Sequence, residues 1–166
     1  RRGYVIQQAD AKKAYTQADM IDYAPISQGS KDVIPTETWV VLPPEARPKS
    51  WENLPFRDPV VRLDKALYGH PDAGGAWEKH CDGKLREIGF TPVPNWPSVY
   101  HHAGWDLMLT VYVDDFKLAG RADAIGPTWK LFKDMGLELD THNDINQGVY
   151  VGCSQWDVKC PNSVVE

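Results

Sequence analysis

One stretch restricts the fold more than any other. It is Leu107-Met108-Leu109-Thr110-Val111-Tyr112-Val113-Asp114-Asp115-Phe116-Lys117-Leu118-Ala119-Gly120, two apolar, strand-like runs around adjacent carboxylates. In the first run Met108, Thr110 and Tyr112 share one face, and Leu107, Leu109, Val111 and Val113 the other. Both faces are largely apolar, so this strand reads as buried. The run after Asp115 predicts that the chain reverses at the two aspartates, as a β-hairpin whose tip carries both charges. Like charges this close repel, and burial raises the cost of ionising either one; a nearby cation relieves both penalties. Asp-Asp is also an ordinary turn sequence, because Asp side chains accept hydrogen bonds from local backbone. A third carboxylate shifts the balance between these two readings. Tyr4-Val5-Ile6-Gln7-Gln8-Ala9-Asp10 reads as another short strand ending in an aspartate. Neighbouring strands that deliver Asp10 and Asp114 to one sheet end would make a hard, all-oxygen site. Such sites suit Mg²⁺, which keeps several waters and takes substrate phosphates as further ligands.

A chain of 166 residues, 42% hydrophobic and 25% charged, fits one globular domain with a sizeable core. No apolar run approaches a membrane span and no signal-peptide pattern opens the chain. The first residue is Arg1, which predicts a fragment, a processed product or an excised domain. Cys81, Cys153 and Cys160 are odd in number and stand at no ligand spacing. Cys81 and Cys153 read as small core residues, in an intracellular, reducing compartment, with no zinc site. The net charge of −5 is the wrong sign for a domain that grips nucleic acid unaided. Either the basic contacts lie in other parts of a larger protein, or nucleic acid is not the partner.

In chain order, strands are predicted at 4–10, 38–42, 59–63, 98–102, 107–113 and 148–152. A polar stretch with one helical turn runs to about Ser30, and prolines from Pro25 to Pro59 and from Pro92 to Pro97 mark loops. Glu45 to Asp58 reads as an ordered surface loop. Pro71-Asp72 opens the clearest helix, with Asp72 as N-cap. Ala73, Ala76, Trp77, His80, Cys81, Leu85 and Ile88 form its apolar face, and Gly89 ends it. His80 reads as a packed histidine, and His101-His102 as surface or packing residues, because they alternate faces of a strand. A second helix is expected from Pro127 to Met135, with Pro127 in its first turn and Gly136 after its end. No internal repeat is visible. The order predicts an α+β fold in which helices cover one face of a mainly antiparallel sheet and the hairpin places the aspartates at one sheet end.

Three blocks in order give the chain a resemblance to the reverse transcriptase of copia-type retrotransposons, from about Gln8 to Gln155. Gln8-Ala9-Asp10-Ala11-Lys12-Lys13-Ala14-Tyr15 is similar to the first polymerase motif. Leu63-Asp64-Lys65-Ala66-Leu67-Tyr68-Gly69, continuing to Trp77, is similar to the Leu-Tyr-Gly block that opens the template-contacting helix. Tyr112-Val113-Asp114-Asp115 resembles the Tyr-x-Asp-Asp box. Glu87-Ile88-Gly89-Phe90 and Ser98-Val99-Tyr100 match the run between the second and third blocks. The resemblance implies a single palm-like domain over 1–166, without fingers, thumb or ribonuclease H. It implies that Asp10 and Asp114 bridge two Mg²⁺ ions with support from Asp115. One ion would activate the primer 3′ hydroxyl, and the other would hold the triphosphate and the leaving pyrophosphate. Tyr15 would pack under the incoming sugar, Tyr68 and Gly69 would line the nucleotide pocket, and Tyr112 belongs to the box itself. Tyr15 reads equally as a core aromatic and Gly69 as a plain turn.

Two functions follow. The first is an RNA-directed DNA polymerase palm acting on an RNA or DNA primer–template and deoxynucleoside triphosphates. The second is a retroelement-derived, catalytically idle domain that serves among the protein subunits of a larger assembly, which the acidic charge and the Arg1 start favour. A generic metal-dependent phosphoryl-transfer domain is a third. Lys117, just past the box, faces a phosphate in the first reading and is a solvated edge charge otherwise.

Overall fold

The computed structural model describes residues 3–20, 37–156 and 158. Cys160 and most of the polar stretch after Met20 lie outside these. The chain divides into two compact units, 1–14 with 81–166, and 15–80.

The first unit is built on a six-stranded antiparallel sheet. Its strands are β1 (Tyr4–Asp10), β4 (Thr91–Pro92), β5 (Val99–His102), β6 (Leu107–Tyr112), β7 (Asp115–Arg121) and β8 (Asn143–Asp144). Their order is β4-β5-β6-β7-β1-β8. Alternation decides which face is covered. Leu107, Leu109 and Val111 of β6 and Phe116 and Leu118 of β7 are buried on one face. Met108 and Tyr112 on the other face are 50% and 60% exposed, so β6 is buried on one side only, not on both as its apolar run suggests. Helix α3 (Ala122–Asp134) supplies Ile125, Trp129 and Phe132 to the covered face. Trp129 Nε1 donates to Gln7 Oε1 at 3.0 Å, which ties the helix to β1. Phe90, Phe116 and Phe132 complete this core.

Helix α3 begins five residues before the predicted start, and Pro127 sits inside it. Gly126-Pro127 reads as a helix start in sequence, yet β7 runs straight into the helix and Pro127 removes a single early intrahelical bond. Thr128 Oγ1 also donates back to the Ala124 carbonyl at 2.8 Å. At its far end Gly136 has φ of +87°, and Leu137 N donates to the Phe132 carbonyl at 3.0 Å. Helix α2 (Ala73–Glu87) closes in the same way, with Gly89 at φ +91° and Phe90 N donating to Leu85 O at 3.1 Å. The two glycines end the helices as expected. Asp72 stands at the N-cap position, where its carbonyl accepts from Ala76 N at 3.0 Å. His102 packs as predicted: it stacks on Trp105 and lies within 3.0 Å of the Ile88 carbonyl.

The predicted strand 148–152 is instead a short hairpin, β9 (Val149–Tyr150) and β10 (Cys153–Ser154). Val151 and Gly152, at φ +50° and +75°, make its turn, and positive φ at both central positions suits a two-residue hairpin. Cys153 is therefore exposed in β10, while Cys81 is buried as expected.

The second unit pairs β2 (Trp39–Val41) with β3 (Val60–Arg62). Helix α1 (Ala14–Gln17) is the single helical turn expected near Tyr15, and the unit boundary falls at its first residue. Arg47 fastens the Glu45–Asp58 loop, donating to the Leu42 carbonyl at 2.9 Å and pairing with Asp58 at 3.7 Å. Buried Ala18, Met20, Ala66, Ala73, Ala76 and Trp77 form its interior, and His80 stacks on Trp77. No helix among the described residues is long and apolar enough to cross a membrane.

Candidate active site

Strand register brings the distant aspartates together. β1 pairs with β7 so that Asp10 stands directly opposite Asp115. β6 pairs with β7 so that Tyr112 faces Asp115 across the hairpin, which leaves Val113-Asp114 as a two-residue turn. The reversal thus falls one residue earlier than the Asp-Asp pair suggests, and Asp115 is the first residue of β7. Ala11 N donates to the Asp114 carbonyl at 2.7 Å, which clamps the turn to the end of β1. On the other side Asp140 N donates to the Asp10 carbonyl at 2.8 Å and Lys12 N to the Glu138 carbonyl at 2.8 Å.

The turn is strained. Val113 has φ of +55°, a region that β-branched residues avoid and glycine fills freely. Its neighbours over-determine it: two ladder strands and the Ala11 bond fix where the turn must lie.

Electrostatics oppose this arrangement. Like charges directly opposite on paired strands are destabilising. Asp10 is held above the ordinary carboxyl value of 3.8 by loss of hydration, by repulsion from Asp115, by a side-chain hydrogen bond with Asp115, and by Asp114 and Asp140. Among the described residues no lysine or arginine pairs with Asp10, Asp114 or Asp115; Lys12 pairs with Asp140 at 3.2 Å.

A polar cavity of about 360 Å³ adjoins Asp10, lined by Gln8, Ala9, Asp10, Asp140, Thr141, Asn143 and Val149. Gln8 is buried, and its Oε1 has no hydrogen-bond partner. Asp140 was not singled out in the sequence. Its signal is the alternation of buried Leu137 and Leu139 with exposed Glu138 and Asp140, which lays this segment beside Ala11.

Mutually repelling carboxylates, an orphaned buried amide oxygen and the lack of a basic partner are the donor chemistry that a hard divalent cation satisfies. The ligands are not pre-arranged, however: among the described residues no three His, Cys, Asp or Glu side chains are disposed to hold a metal ion.

Lys117 lies on the same face of β7 as Asp115, two residues on. It is half-buried, not a solvated edge charge: Nζ sits 3.8 Å over the Tyr150 ring and donates to Gln155 Oε1 at 2.6 Å. Burial lowers its pKa, and Asp115 partly offsets that.

Of the other predicted site residues, Tyr112 is exposed at the hairpin end. Tyr15, Tyr68 and Gly69 belong to the second unit. There the Tyr15 and Tyr68 rings lie 4.5 Å apart, and Gly69 has φ of +92° with open space where a side chain would stand.

No solved structure matches the chain. The family model described as reverse transcriptase (RNA-dependent DNA polymerase) matches residues 1–152, which include every site residue above except Gln155. With aspartates of its first and third motifs meeting in register at one sheet end, and a match over most of its length, the chain belongs to the copia-type reverse transcriptase family.

Proposed function

We propose that this chain is the palm of an RNA-directed DNA polymerase and that Asp10, Asp114 and Asp115 hold the divalent ions of nucleotidyl transfer. The observation that carries this reading is the Asp10–Asp115 register, which sets two carboxylates against each other with no lysine or arginine in a salt bridge to either among the described residues. Such a pair costs stability when no cation is bound, and the same carboxylates would hold Mg²⁺ through their oxygens. When bound, the ions supply charge neutralisation at the triphosphate and a lowered pKa at the primer hydroxyl.

The chain's own residues do the rest. Asp10 and Asp115 present oxygens from adjacent strands, so their spacing is fixed by the ladder. Asp114 sits on the strained turn, which is pinned by the Ala11 N–H. Tyr112, opposite Asp115 and exposed, offers a ring beside the carboxylates. On the family resemblance, Tyr15 would pack under the incoming sugar, and Tyr68 and Gly69 would line the nucleotide pocket.

Primer extension on an RNA template with Mg²⁺ tests the proposal. The parent chain should extend the primer, and Asp114→Asn and Asp115→Asn should each be slower by roughly a hundredfold or more, as expected when a charge that stabilises the transition state is removed. Equal extension by parent and variants, or none by the parent, would sink it in favour of an idle scaffold.

A further inference from the structure

One face of the β2–β3 sheet is apolar and exposed. The register sets Trp39 opposite Arg62 and Val41 opposite Val60, so these four side chains share a face, while Val40 and Val61 point to the other. Trp39, Val41 and Val60 are each more than half exposed, whereas Val40 and Val61 are half-buried. The exposed face runs on into a cavity of about 430 Å³ lined by Trp51, Leu54, Phe56, Asp58, Pro59 and Val60. Asp58 is the one charged residue of that lining among the described residues, and it pairs with Arg47 at 3.7 Å. Arg47 also donates to the Leu42 carbonyl at 2.9 Å and to the Arg57 carbonyl at 3.2 Å, which ties the cavity wall to the end of β2. Exposed Leu54 and Phe56 extend the apolar surface around the cavity mouth. These exposures together amount to roughly 500 Å², a size at which an apolar patch marks an interaction site. A two-stranded sheet with one face uncovered is also marginally stable in water.

We propose that this face is a self-association surface, on which two copies of the chain pack about a two-fold axis with Trp39 of each seated in the cavity of the other. It does not depend on the polymerase reading. Charge, shape and area select a second copy over other partners. Glu37, Glu45, Glu52 and Asp58 balance Arg47, Lys49, Arg57 and Arg62, so the stretch 37–62 is neutral in a chain of net charge −5. Nucleic acid calls for a basic surface, and a strongly charged protein partner for one of opposite sign; two copies of this stretch meet without net repulsion. A two-fold interface must carry both halves of each contact on one surface. Here the knob is Trp39 and the hole is walled by Val60, which lies on the same face two residues along from the position opposite Trp39, or ~7 Å. A standard interface buries about 800 Å² of each partner, of which about 65% is apolar between identical subunits, and the patch supplies that share.

Sedimentation velocity of the full chain over a concentration series tests this. The parent should pass from monomer to dimer with a Kd in roughly the micromolar range, the weak end for an interface of standard size. The dimer should persist at high salt, since apolar contacts hold it and not screened charges. Trp39→Glu and Val60→Lys, both at exposed positions, should each weaken it roughly tenfold or more. An equimolar mixture of the two variants should dimerise more tightly than either alone. A mixed pair keeps one parental contact of Trp39 with the cavity and sets the two introduced, opposite charges against each other in the second. Circular dichroism checks that each variant folds, and Val41→Lys, directly opposite Val60 in register, replaces Val60→Lys if that one does not. A parent that stays monomeric at every concentration would overturn the proposal and leave the face to a different partner. A dimer that both variants retain, or no recovery in the mixture, would overturn it as well.

Discussion

Two residues at the site carry unfavourable energies that folding alone does not ask for. Val113 holds φ of +55° at the hairpin turn. Replacing it by glycine relieves the steric conflict at the expense of a freer unfolded chain, and the conflict is the larger effect for a β-branched side chain. Val113→Gly should therefore stabilise the chain by about 1 kcal/mol in a denaturant titration; destabilisation would show that the turn is not strained. Asp10 is the second. Its pKa is raised above 3.8 in the folded chain. The stability it contributes is thus fully present below the unfolded value and lost as pH rises through the folded one. Metal-free Asp10→Asn should lack that decline and be the more stable protein at neutral pH, read as thermal midpoint against pH. Parallel profiles would remove the electrostatic argument. The sequence shows the acidic pair at 114–115 and the lone Asp10, because short apolar runs around carboxylates are conspicuous. It does not show that Val113 rather than Asp115 takes the turn, since one residue of register depends on the pairing with β1. Nor does it show Lys117 as clamped, because Tyr150 and Gln155 lie over thirty residues away.

Hairpins and helix ends divide along a similar line. β1, β5, β6 and both terminating glycines were legible, because alternation and glycine chemistry are local. The start of α3 was not, because a proline marks a helix start only on average, and the covered sheet face pulls the helix back to Ala122. β4 and β8, two residues each, exist through their partners and leave no pattern of their own. The apolar upper face of β6 misled for a different reason: Met108 and Tyr112 are large but exposed. One glycine is decisive in β7. A Cβ on Gly120 would lie 2.8 Å from the Asp106 carbonyl and 2.5 Å from Leu107 Cδ2. Backbone cannot step aside cheaply, so Gly120→Ala should destabilise the fold by about 1–3 kcal/mol, with the β6–β7 amides losing hydrogen-exchange protection first. A variant as stable as the parent would mean that the two strands are spaced more widely than described.

Taken together, the chain is acidic where its family's substrate is a polyanion. Its charges are nevertheless arranged and not merely summed. The salt bridges of the described residues, such as Lys12–Asp140, Lys65–Asp19 and Arg121–Asp123, leave the three motif aspartates out. The tryptophans are divided too: Trp77 and Trp129 fill cores, while Trp39 and Trp96 are 55% and 66% exposed. The use proposed above for the excess negative charge at the sheet end is to take up divalent cations jointly. Thermal unfolding of the parent chain, Asp10→Asn and Asp115→Asn as Mg²⁺ is raised from zero measures that use most directly. The parent should be stabilised in step with Mg²⁺ concentration, as binding to the folded state alone requires, and each variant should lose most of the increment. A midpoint in the parent that ignores Mg²⁺, or increments of equal size in all three proteins, would contradict it.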